Sequence, residues 1–173
     1  MDNVDEVPDL QNTFREAMAA VCAPVAVVTA VRGGAPFGTT VSAFASLSMS
    51  PPMVLVSLDR ASTLLGVVRE VRNFGVNVLG SEHAHLAVTF SGKGGSDKFV
   101  GVEWNEVASV PQLTDMAAFV GCTVVGVVEG GDHVVLLGEV VTADHRQQPP
   151  LTYHRRTFGT HLPVGDRNRV HQS

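Results

Sequence analysis

Gly38-Thr39-Thr40-Val41-Ser42-Ala43-Phe44-Ala45-Ser46-Leu47-Ser48-Met49-Ser50-Pro51-Pro52 runs directly into the apolar segment Met53-Val54-Leu55-Val56-Ser57-Leu58-Asp59. Hydroxyls and small side chains stand where a core strand usually carries bulk, so backbone N–H and C=O groups stay approachable to a flat polar ligand. Upstream, residues 36–47 alternate as a returning strand, Gly33-Gly34-Ala35 is its hairpin turn, and the Val-rich run 24–32 is its partner. Downstream, Pro51-Pro52 breaks the chain before the strand at 53–59, because proline cannot donate to a ladder.

Further out, residues 9–23 have helical spacing, with Leu10, Phe14, Ala17, Met18 and Val21 on one stripe, Asp9 or Asn12 as the cap and Pro24 as the stop. Residues 62–71 read as a helix, 73–79 as a strand, and 81–90 as a helix capped by Ser81; the Gly-rich loop Ser91-Gly92-Lys93-Gly94-Gly95-Ser96 follows. Two long β segments, 117–129 and 133–146, meet at the turn Gly130-Gly131-Asp132, and 151–155 adds a short last strand. Strands in consecutive hairpins with helices inserted between them predict a mainly β chain folded as an antiparallel barrel rather than βαβ units. On this reading residues 9–161 form one domain between a flexible N-terminus (1–8) and a flexible tail (162–173).

The 173 residues, 45% of them hydrophobic, suffice for one sizeable core. A net charge of −5 with no Lys/Arg run argues against nucleic-acid binding. Met1 to Pro8 lacks a basic-then-apolar leader pattern and no apolar run reaches membrane-span length, which leaves a soluble cytoplasmic protein as the expectation. Cys22 and Cys122, each among apolar neighbours, read as two buried, reduced thiols. His83 and His85, two residues apart on a helix, point to different sides, so no metal site is expected.

Neither the P-loop nor the dinucleotide fingerprint is present, since Gly92-Lys93-Gly94-Gly95 follows a helix instead of joining a strand to one. An anion site emerges elsewhere. Arg60-Ala61-Ser62-Thr63 links a strand to a helix, so amides at the helix start, two hydroxyls and a guanidinium could converge on a phosphate. An ordinary Ser/Thr N-cap without a ligand is the alternative.

Together these residues resemble the short-chain flavin reductases, the reductase components of two-component flavin-dependent monooxygenases. The resemblance runs from Phe14 to about Gly159. Its landmarks are Ala23-Pro24-Val25-Ala26-Val27-Val28-Thr29, the segment from Gly38 to Pro52, Phe74-Gly75-Val76-Asn77-Val78-Leu79, Asp97-Lys98-Phe99 with Gly101-Val102-Glu103-Trp104, Gly131-Asp132-His133 with Leu137-Gly138-Glu139-Val140, and Pro150-Leu151-Thr152-Tyr153. It implies an antiparallel split β-barrel that binds FMN, with FAD as the alternative. It also implies a homodimer, NADH (or NADPH) as reductant, and a monooxygenase partner that receives the reduced flavin.

The resemblance further places Thr39, Thr40, Val41, Ser42 and Ala43 along the isoalloxazine and ribityl chain. Ser57, Leu58 and Asp59 would line the neighbouring strand end, and Ser62 and Thr63 would take the phosphate. His133 becomes the candidate catalytic residue at the nicotinamide face; a polar residue after a hairpin turn is its plainer reading. Two departures stand out. Ala43 replaces a usual serine, and Thr89 replaces a usual arginine whose cation Lys93 or Lys98 could supply. A non-enzymatic flavin or haem carrier on the same barrel is the rival function. An oxidase of the pyridoxamine-phosphate type would want more basic residues around a second phosphate.

Overall fold

The computed structural model describes residues 9–164, so the expected flexible segment 1–8 and the tail beyond Val164 lie outside the described residues. Twelve strands and three α-helices follow in the order α1 (Leu10–Ala19), β1 (Ala23–Pro24), β2 (Ala26–Arg32), β3 (Ala35–Val41), β4 (Phe44–Met49), β5 (Pro52–Asp59), α2 (Thr63–Val71), β6 (Asn73–Val78), α3 (Ala84–Ser91), β7 (Trp104–Val107), β8 (Val110–Leu113), β9 (Ala118–Gly130), β10 (His133–His145), β11 (Leu151–His154) and β12 (Thr157–Thr160). Seven strands make one antiparallel sheet in the order β3-β2-β6-β9-β10-β5-β4.

The expected single strand over 36–47 is two. β3 and β4 lie at opposite edges of that sheet, yet only Ser42 and Ala43 separate them. At about 3.5 Å per extended residue, so short a link forces the two edges together at that end. The Ser57 N–H donates to the Ala43 carbonyl at 2.8 Å and fixes the crossing. β3 and β4 do not pair with each other, so the sheet curls into a barrel that stays open between them. This is the split barrel, mainly β with inserted helices.

β2 is the wall between two cores. Its alternate residues Ala26, Val28 and Ala30 face one core with α2 (Leu64, Leu65, Val67, Val68), Phe74 and Leu136. Val25 and Val27 face the other, with Leu79, Leu86, Phe90, Phe99, Leu113 and Leu151. Only Gly138 lets the Phe74 ring cross the interior, since a Cβ there would meet Phe74 Cζ at 2.4 Å. Thr29 and Asn77, both fully buried, form a polar seam. Thr29 Oγ1 donates to Pro111 O at 2.6 Å, and the Leu113 N–H donates to Asn77 Oδ1 at 2.8 Å, which clamps the β7–β8 hairpin onto the barrel.

Several local expectations are corrected. α1 ends at Ala19 rather than 23, where its last carbonyl accepts the Arg155 N–H at 2.8 Å; Asp9 is the cap, accepting from the Gln11 N–H at 3.1 Å. Cys22 is exposed, because it falls in the turn after this shortened helix, while Cys122 is buried on β9 and unpaired. Ser81 does not cap α3: residues Ser81–His83 form a 3₁₀ turn and the Ser81 N–H donates to Pro149 O at 2.9 Å. Two hairpins, β7–β8 and β11–β12, were not foreseen.

Candidate functional site

The ends of β3 and β5 flank the opening of the barrel, and residues 39–43, 57–59 and 62 together with His133 line one cavity of about 230 Å³ there. Thr39, Thr40, Val41, Ser42, Ala43, Ser57, Leu58 and Asp59, expected from the sequence, are therefore brought together. Their contributions differ. Thr40 Oγ1 donates to Ala87 O at 2.7 Å, locking the strand to α3, so Thr40 offers the cavity mainly its backbone. Leu58 is 1% exposed, its side chain packed in the core, and it too contributes backbone.

Thr39, Asp59 and Ser62 also line a neighbouring cavity of about 500 Å³, together with Gly38, residues 61–64, residues 91–94 and Lys98. The Asp59 carboxylate accepts the Ala61 N–H at 2.6 Å and shapes the turn into α2. Ser62 is the N-cap by conformation, but its hydroxyl makes no capping bond. That hydroxyl, Thr63 and the unpaired first-turn amides of α2 are thus available to an anion, which the positive end of the helix favours.

Two lysines line this cleft, Lys93 and Lys98, and Lys98 is the one held by hydrogen bonds. A 3₁₀ turn (Ser96–Phe99) carries it inward, and its Nζ donates to Gly38 O at 3.3 Å and Phe90 O at 3.1 Å. Burial holds its pKa below the ordinary lysine value, with the neighbouring Asp97 charge opposing. Thr89, the departure from the usual arginine, donates to His85 O at 3.0 Å within α3; the Lys98 bond to Phe90 O puts a cation at the adjacent carbonyl. The Ser91–Gly94 part of the Gly-rich loop also lines the cleft, with Lys93. Lys93, named from the sequence beside Lys98, thus lines the cleft, whereas the glycines of this loop carry no P-loop spacing to mark them.

Arg60 is not part of the anion site. Its Nε–H donates to Gly131 O at 2.6 Å and its guanidinium pairs with Glu129 at 2.5 Å, so it faces the β9–β10 turn instead. His133 begins β10 opposite Asp59 of β5. Its Nδ1 lies 2.8 Å from an Asp132 carboxylate oxygen, a bond that also holds the Asp132 pKa below the usual carboxylate value. With Nδ1–H donated to that carboxylate, Nε2 is the nitrogen left for a ligand. Among the described residues no cluster of histidine, cysteine or carboxylate side chains could hold a metal ion. The His83 and His85 rings lie 6.2 Å apart.

A flavin mononucleotide fits this arrangement on three observations: a cavity walled by small residues and strand backbone, an uncapped helix start with a free hydroxyl, and a half-buried ammonium beside it. The comparisons agree. Residues 18–161 match the model of the flavin reductase like domain. The chain is 39% identical over 150 residues to the reductase component of 4-nitrophenol 4-monooxygenase/4-nitrocatechol 2-monooxygenase from Rhodococcus opacus, covering 87% of this chain and 80% of that one. It is 34% identical to the FMN reductase (NADH) SmoA of Agrobacterium fabrum, covering 88% of each. Among solved structures, the Streptomyces globisporus C-1027 NADH:FAD oxidoreductase SgcE6, in complex with NAD and FAD fragments, superposes with a TM-score of 0.85 at 27% identity, covering 92% of this chain and 97% of that one. With a family model matched over most of its length and relatives of the same fold, the protein belongs to the flavin reductase-like family.

Proposed function

We propose that the chain is an NAD(P)H-dependent flavin reductase that reduces FMN, accepts FAD as the alternative, and supplies free reduced flavin to a separate monooxygenase. The observation behind this reading is the convergence of residues 39–43, 57–59 and His133 on one cavity that shares Thr39, Asp59 and Ser62 with the cleft of Thr63 and Lys98. A bound flavin supplies the acceptor for the nicotinamide hydride. The chain's own residues bind and orient. Backbone groups of residues 39–43 lie along the ring and stabilise negative charge at its edge, Ser62, Thr63 and Lys98 hold the phosphate, and His133 sits at the nicotinamide face with its orientation set by Asp132. No nucleophile or paired carboxylate is required.

The reading includes a homodimer and a cytoplasmic location. α1 has no buried residue, and Leu10, Phe14 and Met18 of its apolar stripe are exposed. Val125, Val128 and Val141 on β9 and β10 are exposed as well, and apolar surface of this kind supports association with a second copy. Two unpaired cysteines accord with a reducing compartment. Among the described residues no helix is long and apolar enough to cross a membrane. NADH consumption under air, with and without added FMN, tests the function: a reductase shows turnover that scales with added flavin, a carrier does not.

A further inference from the structure

One residue ties the hairpin that bears His133 to the loop that leads into the phosphate end of the cleft. The Arg60 backbone N–H donates to Asp132 O at 3.0 Å, its Nε–H donates to Gly131 O at 2.6 Å, and its guanidinium pairs with Glu129 at 2.5 Å. Glu129 is held in turn by Arg69 of α2 at 3.3 Å. The β5–β10 ladder ends at the pair His133 and Asp59, and beyond it lies an exposed turn with Gly131 at φ +65°. Among the described residues, the two Arg60 bonds are the hydrogen bonds that reach Gly131 and Asp132 from outside their own hairpin.

We infer that Arg60 is a positioning residue that holds the turn, and so His133, over the ring cavity; the inference rests on the role of His133 proposed above. Half-exposed ion pairs contribute little to stability, so these contacts act on the geometry of the turn. A lysine keeps the charge but lacks the planar fork that bonds a carbonyl and a carboxylate at once.

Steady-state kinetics of Arg60→Ala, Arg60→Lys, His133→Ala and the Arg60→Ala/His133→Ala pair test this, with FMN and riboflavin affinities measured alongside. Arg60→Ala and Arg60→Lys are each expected to lower NADH-dependent turnover by roughly tenfold, as misplacement of a reacting group does. Flavin affinities stay within about twofold, and Arg60→Ala added to His133→Ala lowers the rate no further, as for residues acting as a unit. Losses that multiply in the pair, full activity in Arg60→Lys, or weakened binding of FMN alone would overturn the inference, the last by returning the guanidinium to the phosphate. Unchanged turnover in His133→Ala would remove the role of the histidine and the inference with it; slowed turnover there beside a normal Arg60→Ala would remove the inference alone. Should Arg60→Ala not fold, Arg60→Lys alone and combined with His133→Ala make the same comparison, and a normal rate in Arg60→Lys overturns it.

Discussion

Replacing Lys98 with methionine separates the phosphate end of the cleft from the ring end. The side chain stays unbranched and loses its ammonium, which donates to Gly38 O and Phe90 O and lines the cavity with Ser62 and Thr63. A hydrogen bond to a charged group is worth about 1.5–3 kcal/mol, so FMN should bind roughly tenfold to a hundredfold more weakly. Riboflavin has no phosphate, and its affinity should change by no more than about twofold if the strand ends hold their places. The sign of the pH dependence follows from the direction of the Lys98 shift. Burial depresses its pKa in the free protein, and a phosphate beside it raises that pKa again, so FMN binding takes up a proton in the alkaline range. FMN affinity therefore falls as pH rises through the Lys98 titration, which lies below the ordinary lysine range; riboflavin affinity does not follow. Flavin fluorescence titrations of both ligands against pH measure this. Equal losses for FMN and riboflavin, or an FMN affinity insensitive to the substitution, would refute the placement of the phosphate.

Replacing Ser62 and Thr63 together with alanine should weaken FMN at least tenfold while leaving riboflavin nearly unaffected, since two hydroxyl bonds to a charged acceptor of about 1.5–3 kcal/mol each are removed; paired titrations check it. Asn77→Ala leaves the buried Leu113 N–H without its acceptor, while Pro111 O keeps the Thr29 hydroxyl, and should destabilise the chain by about 1–3 kcal/mol in denaturant unfolding. Burial pushes the Cys122 thiol up to about 12 from 9.0, so at neutral pH a thiol reagent should label Cys22 alone in the folded chain and both cysteines after denaturation. Because that folded pKa is raised, the stability linked to Cys122 is complete below about 9 and declines as pH climbs toward 12, which unfolding curves across that range would register.

The elements legible in the sequence are those with explicit turn or breaker chemistry. Gly33 and Gly34 take φ +58° and +79°, the paired left-handed conformations of a tight hairpin, and Gly131 takes +65° in the β9–β10 turn. The two missed hairpins lack that signal. Ala108 and Ser109 turn β7 into β8 at φ +50° and +61°, and Arg155 and Arg156 turn β11 into β12 at +46° and +63°, conformations that ordinary residues rarely adopt. The break at Ser42-Ala43 was hidden for another reason. Alternation continues across it, and the change of sheet edge is imposed by closure of the barrel, a long-range event without a local residue pattern. The candidate site was legible as composition, small and hydroxylated residues beside a strand end and a helix start. Which cation lines the cleft was not, because only folding turns Arg60 toward the β9–β10 hairpin and brings Lys98 inward against Gly38 and Phe90.

A flavin reductase turns over flavin rather than keeping it. The most direct test of this is anaerobic: a trace of protein is mixed with a large molar excess of FMN, NADH is added, and loss of the oxidised flavin absorbance is followed. Bleaching should continue in proportion to NADH until the whole pool of free FMN is reduced. Bleaching that stops at about one flavin per chain, with excess NADH remaining, would contradict the reductase function.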